Sequence, residues 1–314
     1  MGVAVALASR GRGRTAPNPN VGCLLVNSGR VVGRGWTQPG GRPHAEAMAL
    51  AQAGIAARGA TAYVTLEPCA HVSPRGPACS TSLIEAGIAR VVIAITDPDP
   101  RTNGKGIESL RASGIEVTTG TAEADARRAT AGFPIRQAHG RPHVTLKLAT
   151  SLDGCVALAN GKSRWITGPE ARAHVHLERA RHEAILVGRG TLEADSPRLD
   201  VRLPGLEDRA PRRILLSSYA AEGWTTIAAP EVIATLDGVD HLFVEGGAQT
   251  ATAFLRADLI DRLLLYRAPV LLGGKPGLAD LGLASLADAH GRWRLIDTRM
   301  LGSDRLEVYE RART

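Results

Sequence analysis

Short apolar runs of the length of a β-strand alternate with Ala-rich segments of helical length along most of this chain. Such alternation favours a largely parallel sheet with helices packed against its faces. We therefore expect an α/β sandwich over roughly the first 120 residues. The predicted elements are a hairpin at 21–36, a helix at 44–57, a strand at 62–66, a helix at 80–86, a strand at 90–95, a helix at 107–112, a strand at 115–118 and a helix at 121–138.

A break in this pattern at 138–142, where Gly140 and Pro142 lie close together, separates two regions of the chain. Glycine and proline interrupt both helices and strands. We place a domain boundary here, with one domain over 1–140 and a second over 141–314. The second domain is expected to be α/β as well and to end in two strands. Its predicted strands are 143–151, 184–187, 213–217, 241–244, 262–266, 293–297 and 306–309.

Charge, cysteine content and hydropathy argue against a nucleic-acid-binding, disulfide-rich, secreted or membrane-spanning protein. The net charge is +7, but the arginines are scattered, which is typical of a solvated surface or of contacts to a phosphate on a small molecule. The 4 cysteines are too few for a disulfide scaffold in 314 residues. The N-terminal run lacks the layout of a signal peptide, and no apolar run approaches the ~20 residues of a membrane span. We expect a cytoplasmic protein whose partners are neither nucleic acids nor membranes.

Three potential metal ligands and a carboxylate lie at the ends of predicted elements in the first domain. His44 and Glu46 begin a helix, Cys69 follows a strand within Glu-Pro-Cys, and Cys79 precedes the next helix. One imidazole and two thiolates that converge would bind zinc and leave its fourth position open, as in catalytic sites. Such a zinc ion lowers the pKa of a bound water to ~7. The spacing of Glu46 from the histidine suits proton transfer, and the whole pattern is typical of zinc deaminases.

Each of these residues has a simpler interpretation when it is taken alone. A single cysteine is most often a small buried apolar side chain. A single histidine on a helix is often only a hydrogen-bonded surface or core residue. The combination at the ends of successive elements favours zinc binding for the residues above. Cys23 lies inside an apolar strand and is predicted to belong to the core.

In the second domain, the apolar run 241–244 continues into Glu245, Gly246 and Gly247 and then into an Ala-rich helix. Free backbone N–H groups at the start of such a helix suit a phosphate group. An ordinary turn that opens a helix has the same pattern, so this signal alone leaves both interpretations open.

The first domain resembles the deaminase half of the bifunctional riboflavin-biosynthesis deaminase/reductase family. The similar segments are PNPNVG at 17–22, HAE at 44–46 and TLEPCAH at 65–71. The resemblance implies a cytidine-deaminase-like α/β/α sandwich. It implies zinc on His44, Cys69 and Cys79, catalytic proton transfer by Glu46, and substrate contacts from Asn18 and His71. The alternative for Asn18 is an ordinary turn residue between two prolines.

The second domain is similar to the reductase half of the same family. The similar segments are KLATSLDG at 147–154, SRWITG at 163–168, GTLEADSP at 190–197 and VEGG at 244–247. The resemblance implies a dihydrofolate-reductase-like fold that binds NADPH. The implied cofactor contacts are Ala149, Trp165, Thr191, Asp195, Ser218, Gly247, Ala248, Gln249, Thr250, Ala251, Thr252 and Ala253. The implied substrate contacts are Ser163, Arg179, Leu199, Arg202 and Glu245.

Simpler interpretations exist for several of these positions too. Arg179 and Arg202 suit the phosphate of a substrate, and a solvated surface arginine is the alternative for each. The alternative for Trp165 is a residue of the hydrophobic core, and the alternative for Lys147 is a surface charge at the end of a strand.

The resemblance implies an activity in riboflavin biosynthesis. The first domain would deaminate 2,5-diamino-6-ribosylamino-4(3H)-pyrimidinone 5′-phosphate hydrolytically, and the second would use NADPH to reduce the ribosyl chain to ribityl. A homodimer or tetramer is also implied. Two alternatives stay open: a zinc deaminase of a nucleic-acid base, and a deaminase whose C-terminal half is a non-catalytic ligand-binding or dimerising module.

The chain departs from the family pattern at four places. The gap between Cys69 and Cys79 is one residue longer than is common, with Arg75 and Gly76 in the loop. Asp99 stands where the family often has asparagine, and a carboxylate can only accept hydrogen bonds. Cys155 follows Ser-Leu-Asp-Gly in place of a common arginine. The segment between 218 and 244 is short, which puts cofactor affinity and the preference for NADPH in question.

Overall fold

The structure, a computed structural model, describes residues 1–71 and 76–313. The contacts divide the chain into two compact units, Met1–Gly140 and Arg141–Thr314. Within the described residues, no helix is both long and apolar enough to cross a membrane. Each unit is built around a sheet of its own, and both have the mixed α/β architecture that the sequence predicts.

The first unit contains a five-stranded sheet in the order β2-β1-β3-β4-β5. The strands β3, β4 and β5 are parallel, whereas β1 runs antiparallel to both of its neighbours. The elements are α1 (Gly2–Gly11), β1 (Gly22–Asn27), β2 (Arg30–Trp36), α2 (Ala45–Ala53), β3 (Thr61–Leu66), α3 (Cys79–Glu85), β4 (Arg90–Ile95), α4 (Lys105–Ala112), β5 (Glu116–Thr119), α5 (Glu123–Ala129) and α6 (Gly132–His139).

Helix α2 lies unusually close to the hairpin of β1 and β2. A side chain at Gly35 would place its Cβ 2.0 Å from the carbonyl oxygen of Ala45, so only glycine permits this approach. The first turn of α2 is therefore held against the sheet. The buried residues Ala45 and Ala49 of α2 pack into the same core as Cys23 and Leu25 of β1, which confirms the prediction for Cys23.

Three features of the first unit differ from the sequence prediction. The helix expected at 44–57 is α-helical only to Ala53 and continues as a 3₁₀ turn, Gly54–Ala57. The helix expected at 121–138 is two helices, α5 and α6. The helix α1 was not predicted, because its run of small apolar residues is short. It is stabilised by packing of Ala4 and Leu7 against Leu24 of the sheet.

The second unit contains an eight-stranded sheet in the order β10-β9-β8-β11-β6-β12-β15-β14. The strands from β10 to β12 in this order are parallel, and β15 and β14 are antiparallel additions at one edge. The elements are β6 (His143–Thr150), β7 (Cys155–Ala157), α7 (Pro169–Arg179), β8 (Ala184–Gly188), α8 (Arg189–Asp195), β9 (Arg212–Leu216), β10 (Thr225–Ile227), β11 (His241–Val244), α9 (Ala248–Arg256), β12 (Arg262–Arg267), β13 (Lys275–Pro276), β14 (Trp293–Leu301) and β15 (Asp304–Arg311).

Apolar clusters cover both faces of this sheet, as its parallel strands require. The neighbouring strands β8, β11 and β6 end at the same edge, where α8 and α9 begin directly after β8 and β11. In open parallel sheets, ligands bind outside this carboxyl edge. The short segment between β9 and β11 forms β10 and a 3₁₀ turn, Pro230–Thr235, with no α-helix.

Candidate functional site

The three predicted metal ligands of the first unit lie together. The ligand atoms of His44, Cys69 and Cys79 are all within 4.8 Å of one another. Nδ1 of His44 is 3.2 Å from Sγ of Cys79 and 3.7 Å from Sγ of Cys69. His44 precedes α2 as its N-cap, Cys79 opens α3, and Cys69 follows β3. The sheet and two helix starts thus bring together side chains that lie far apart in the sequence.

The chemistry of this donor set fits zinc. One imidazole nitrogen and two thiol sulfurs are common zinc ligands, and three protein ligands leave a fourth position for water or substrate. Among the described residues, the group with metal-binding geometry consists of these three side chains. A structural zinc site would need a fourth protein ligand. The arrangement therefore suits a catalytic zinc ion.

The two thiols are chemically inequivalent. The Cys79 thiol and backbone N–H, together with His44, stabilise the Cys69 thiolate and hold the pKa of Cys69 well below its usual range. The same thiol-to-thiolate hydrogen bond, together with burial, raises the pKa of Cys79. The hydrogen bonds to Cys69 thus favour its thiolate, which is the form that binds a metal ion.

Glu46 lies beside the ligands and is 3% exposed. Burial raises the pKa of Glu46 to about 7, although the nearby His44 opposes the shift. A carboxyl group with a pKa near neutrality can both accept and donate a proton under ordinary conditions. The position and environment of Glu46 therefore fit proton transfer at the metal site.

A cavity of about 230 Å³ opens onto this group. Its lining includes the metal ligands His44 and Cys79, the cationic side chain of Arg42, and Ser82 of α3. The metal position is therefore accessible to a small polar molecule. The loop residue Arg75, noted in the sequence, lies outside the described residues.

The two predicted substrate contacts of this unit have different neighbours: Asn18 lies beside a predicted metal ligand, and His71 lies beside Thr102. Asn18 places its amide nitrogen 3.1 Å from Nε2 of His44 and donates to the carbonyl of Gly41 at 2.8 Å. The alternative of an ordinary turn residue does not account for that contact. His71 places Nδ1 3.5 Å from the hydroxyl of Thr102.

The carboxylate of Asp99, at a position where the family often has an amide, is paired with a neighbouring arginine. Asp99 accepts hydrogen bonds from Nε of Arg101 at 3.0 Å to both of its oxygens. The hydrogen bonds and charge of Arg101 lower the pKa of Asp99. Its negative charge is therefore balanced within the loop.

In the second unit, Arg179 and Glu245 form a two-pronged ion pair. Nε and Nη2 of Arg179 donate to the two carboxylate oxygens at 2.6 and 2.9 Å, and Nη1 donates to the carbonyl of Asp200 at 3.0 Å. Burial would raise the pKa of Glu245, but Arg179 outweighs burial and lowers it. The solvated-surface interpretation of Arg179 is wrong, since its side chain is 12% exposed. The guanidinium of Arg179 orients the Glu245 carboxylate. The side chain of Arg202, the other predicted phosphate contact, is exposed to solvent.

Lys147 is a candidate functional residue that the sequence predictions did not include. The interpretation as a surface charge at a strand end is wrong, because Lys147 lies within β6 and its pKa is lowered by burial. The opposing charge that raises its pKa is Glu245. A lysine inside the apolar run 144–148 of a central strand was the sequence signal that could have identified it.

The predicted cofactor contacts gather mainly at the carboxyl edge of the sheet. Gly247 is the N-cap of α9, and a Cβ there would lie 3.7 Å from the hydroxyl of Thr191 on α8. Asp195 at the end of α8 pairs with Arg164 at 2.9 Å. Trp165 is 66% exposed, so the core interpretation of this residue is wrong.

The remaining predicted contacts differ in exposure. Gln249 and Ser218 are exposed, as is Ser163, and Ala149 is half-buried on β6. Leu199, with a φ of 54°, is buried. Along α9, Ala251 and Thr252 face the interior, and Ala248 and Ala253 are half-buried. Their assignment to the cofactor stays a prediction.

Two family models match successive parts of the chain. Residues 1–95 match the model of the cytidine and deoxycytidylate deaminase zinc-binding region. Residues 142–306 match the model of the RibD C-terminal domain.

Full-length relatives and solved structures extend these matches. The chain is 40% identical to the riboflavin biosynthesis protein RibD of Escherichia coli, over 97% of this chain and 96% of that one. It is 39% identical to RibD of Mycobacterium tuberculosis H37Rv, over 98% and 95% of the two chains. Acinetobacter baumannii RibD superimposes with a TM-score of 0.87 at 36% identity, over 100% of this chain and 98% of the other.

A Thermotoga maritima protein also superimposes with a TM-score of 0.87, at 31% identity over 99% of this chain and 97% of the other. That protein is described as a diaminohydroxyphosphoribosylaminopyrimidine deaminase/5-amino-6-(5-phosphoribosylamino)uracil reductase. The cytidine-deaminase-like first domain expected from the sequence is confirmed by the family model over residues 1–95, and the second domain matches the C-terminal domain of RibD. The deaminase match precedes the reductase match along the sequence, and full-length relatives share both. The chain therefore belongs to the RibD family of bifunctional zinc-dependent deaminases and NADPH-dependent reductases of riboflavin biosynthesis.

Proposed function

We propose that this chain catalyses two steps on one phosphorylated small molecule. The first is hydrolytic deamination of 2,5-diamino-6-ribosylamino-4(3H)-pyrimidinone 5′-phosphate by residues 1–140, and the second is NADPH-dependent reduction of the ribosyl chain to ribityl by residues 141–314. The observation that carries the proposal is the convergence of His44, Cys69 and Cys79 beside the buried carboxyl of Glu46. The T. maritima relative, described as an enzyme of these two activities, supports the choice of substrate.

In the deaminase site, His44, Cys69 and Cys79 hold the zinc ion. Zinc, when bound, lowers the pKa of a water molecule at its open position to about 7. Glu46 removes a proton from the attacking water and delivers a proton to the amino group of the ring. A carbon–oxygen bond forms, the carbon–nitrogen bond breaks, and ammonia leaves. Asn18 and His71 bind and orient the pyrimidine nucleotide.

In the reductase site, NADPH supplies a hydride ion when bound. The new C–H bond forms at C1′ of the ribosyl group, and the bond from C1′ to the ring oxygen is broken. The ring oxygen gains a proton, and we assign this proton to the ammonium group of Lys147, whose charge interacts with that of Glu245. Arg179 fixes the carboxylate of Glu245, and Arg202 is assigned to the substrate phosphate.

The start of α9 is assigned to a cofactor phosphate, because free N–H groups at a helix start favour anions. The remaining cofactor assignments are those made from the sequence: Ala149, Trp165, Thr191, Asp195, Ser218 and 247–253. Ser163, Leu199 and Glu245 complete the substrate assignments. We further propose a cytoplasmic homodimer or homotetramer, on the basis of the family, and light scattering of the purified protein tests this oligomeric state.

The variant Glu46→Gln tests the deaminase assignment. We expect zinc to stay bound while ammonia release falls at least 100-fold, the size of a general acid–base contribution. NADPH oxidation on the deaminated substrate should remain at the wild-type rate, which controls for folding. Near-normal ammonia release by zinc-loaded Glu46→Gln would contradict the assignment.

Two further measurements separate the alternatives. Binding to a nucleic acid weakens steeply with salt through counterion release, so a steep loss of kcat/KM with salt would favour a nucleic-acid base as substrate. Failure to bind NADPH in a fluorescence titration, together with no single-turnover oxidation, would favour a non-catalytic C-terminal module.

A further inference from the structure

The carboxylate of Glu67 is 2% exposed and accepts hydrogen bonds from backbone N–H groups. Oε1 accepts from Gly106 and Ile107 at 2.9 and 3.2 Å. Oε2 accepts from Gly104 and Asp97 at 3.0 and 3.2 Å. The two oxygens of a carboxylate offer about four acceptor positions. All of them are therefore used by the protein chain, so Glu67 acts on its surroundings and is not itself a zinc or substrate ligand.

These four bonds join Glu67 to both ends of the segment 97–107, which consists of the loop after β4 and the first turn of α4. Within this segment Thr102 is fully buried. Its hydroxyl lies 3.5 Å from Nδ1 of His71. A continuous set of contacts thus runs from Glu67 through the segment 97–107 to His71.

The zinc ligand Cys69 has separate support. Its carbonyl accepts from the backbone N–H and the hydroxyl of Ser80 at 3.2 and 3.1 Å. Its sulfur accepts from the backbone N–H of Cys79 at 3.3 Å. Because α3 holds Cys69 from this side, a change at Glu67 is expected to displace the segment 97–107 more than the metal site.

We propose that Glu67 is a positioning residue for nucleotide binding in the deaminase site. It holds the segment 97–107 in the place from which Thr102 orients the imidazole of His71. This inference rests on the proposed function, in which His71 contacts the pyrimidine nucleotide. Loss of the Glu67 carboxylate therefore weakens substrate binding and leaves zinc and proton transfer largely intact.

The test uses the zinc-loaded full-length chain and 2,5-diamino-6-ribosylamino-4(3H)-pyrimidinone 5′-phosphate. Glu67→Gln places an NH₂ group against N–H donors, whereas the matched change Glu108→Gln lies at an exposed position on α4. Thr102→Val removes only the hydroxyl that meets His71. Zinc content, KM and kcat of ammonia release are measured for each variant. Calorimetry in a Glu46→Gln background gives the Kd of the substrate without turnover.

We expect Glu67→Gln and Thr102→Val to raise KM and Kd about tenfold, equivalent to about 1.4 kcal/mol, with kcat within about threefold of wild type. Zinc content and the reductase rate should not change, and Glu108→Gln should match wild type. A normal Kd in zinc-loaded Glu67→Gln overturns the proposal. If Glu67→Gln does not fold, a normal Kd in Thr102→Val overturns it. A wild-type chain that releases no ammonia from this substrate contradicts the proposed function, and this inference with it.

Discussion

At the scale of single residues, several charged side chains with perturbed pKa values lie at the two candidate sites. Glu46 has almost no exposed surface and a pKa raised to about 7. Glu245 is held by Arg179 through two hydrogen bonds, and Lys147 lies close enough to Glu245 for the two charges to interact. An isolated buried charge is costly, and a perturbed pKa in a cleft is typical of a functional site.

Replacing Lys147 tests its proposed role as proton donor. We expect Lys147→Met to lower the reductase kcat at least 100-fold, the typical size of a general acid contribution. Because burial lowers the pKa of Lys147, the wild-type rate should fall as pH rises through a value below the usual lysine pKa of about 10.4. Steady-state NADPH oxidation over pH 7–10 measures both effects. The exposed Lys275→Met and the deaminase rate of the same protein serve as controls. A variant with normal kcat would exclude the role.

At the scale of elements, both candidate sites are built from the starts of helices at the ends of strands. In the first unit, His44 precedes α2 and Cys79 opens α3. In the second, Gly247, the N-cap of α9, lies two residues after Glu245. A Cβ at Gly246 would lie 2.4 Å from Cβ of Thr250, so a larger residue would displace the helix start.

The change Gly246→Ala tests whether the start of α9 binds the cofactor. We expect the Kd of NADPH to rise at least tenfold, since the displaced helix no longer presents its N–H groups correctly. The matched change Gly190→Ala meets no atom within 4 Å and lies inside α8. It should bind NADPH normally and be slightly stabilised, by about 0.5–1 kcal/mol. Fluorescence titration gives both values of Kd. Equal affinities for the two variants would remove α9 from the cofactor site.

At the scale of the whole chain, the second unit joins its beginning to its end through one buried carboxylate. Asp261 accepts from Nη1 and Nη2 of Arg141 at 2.7 and 2.9 Å, and from Arg313 at 3.0 Å. Burial opposes ionisation, but the hydrogen bonds and charges around it lower the pKa of Asp261 to about 2. The two ends of the unit are therefore joined most strongly when this group is ionised.

This pairing predicts an acid-sensitive contribution to stability. The pKa of Asp261 is lower in the folded state than the usual 3.9. Its contribution is therefore complete above about pH 4 and is lost as pH falls through about 2. A shift of this size corresponds to roughly 2 kcal/mol. Urea unfolding of wild type and Asp261→Asn between pH 2 and pH 6 measures it. The difference should be largest at pH 6 and shrink toward pH 2, and a difference independent of pH would contradict the assignment.

Much of the fold follows from local sequence. The strands 62–66 and 90–95 and the hairpin at 21–36 were predicted almost to the residue, because each is an apolar run bounded by turn residues. The weaker elements were missed for a physical reason. Helix α1 and the short strands β7, β10 and β13 are stabilised by packing and pairing partners from elsewhere in the chain, which no local pattern contains.

The sequence by itself determined the chemistry available to this protein. Residue types at characteristic spacings predicted His44, Cys69 and Cys79 as metal ligands, which the structure brings within 4.8 Å of one another, and Glu46 as the proton carrier. Only the tertiary structure decided which charges are buried and which partners they have. Arg179 was found to support Glu245, Lys147 was found half-buried within a central strand, and Glu67 was found to accept hydrogen bonds from a distant loop. Burial and pairing depend on residues brought together from distant parts of the chain, so spacing along the sequence does not reveal them.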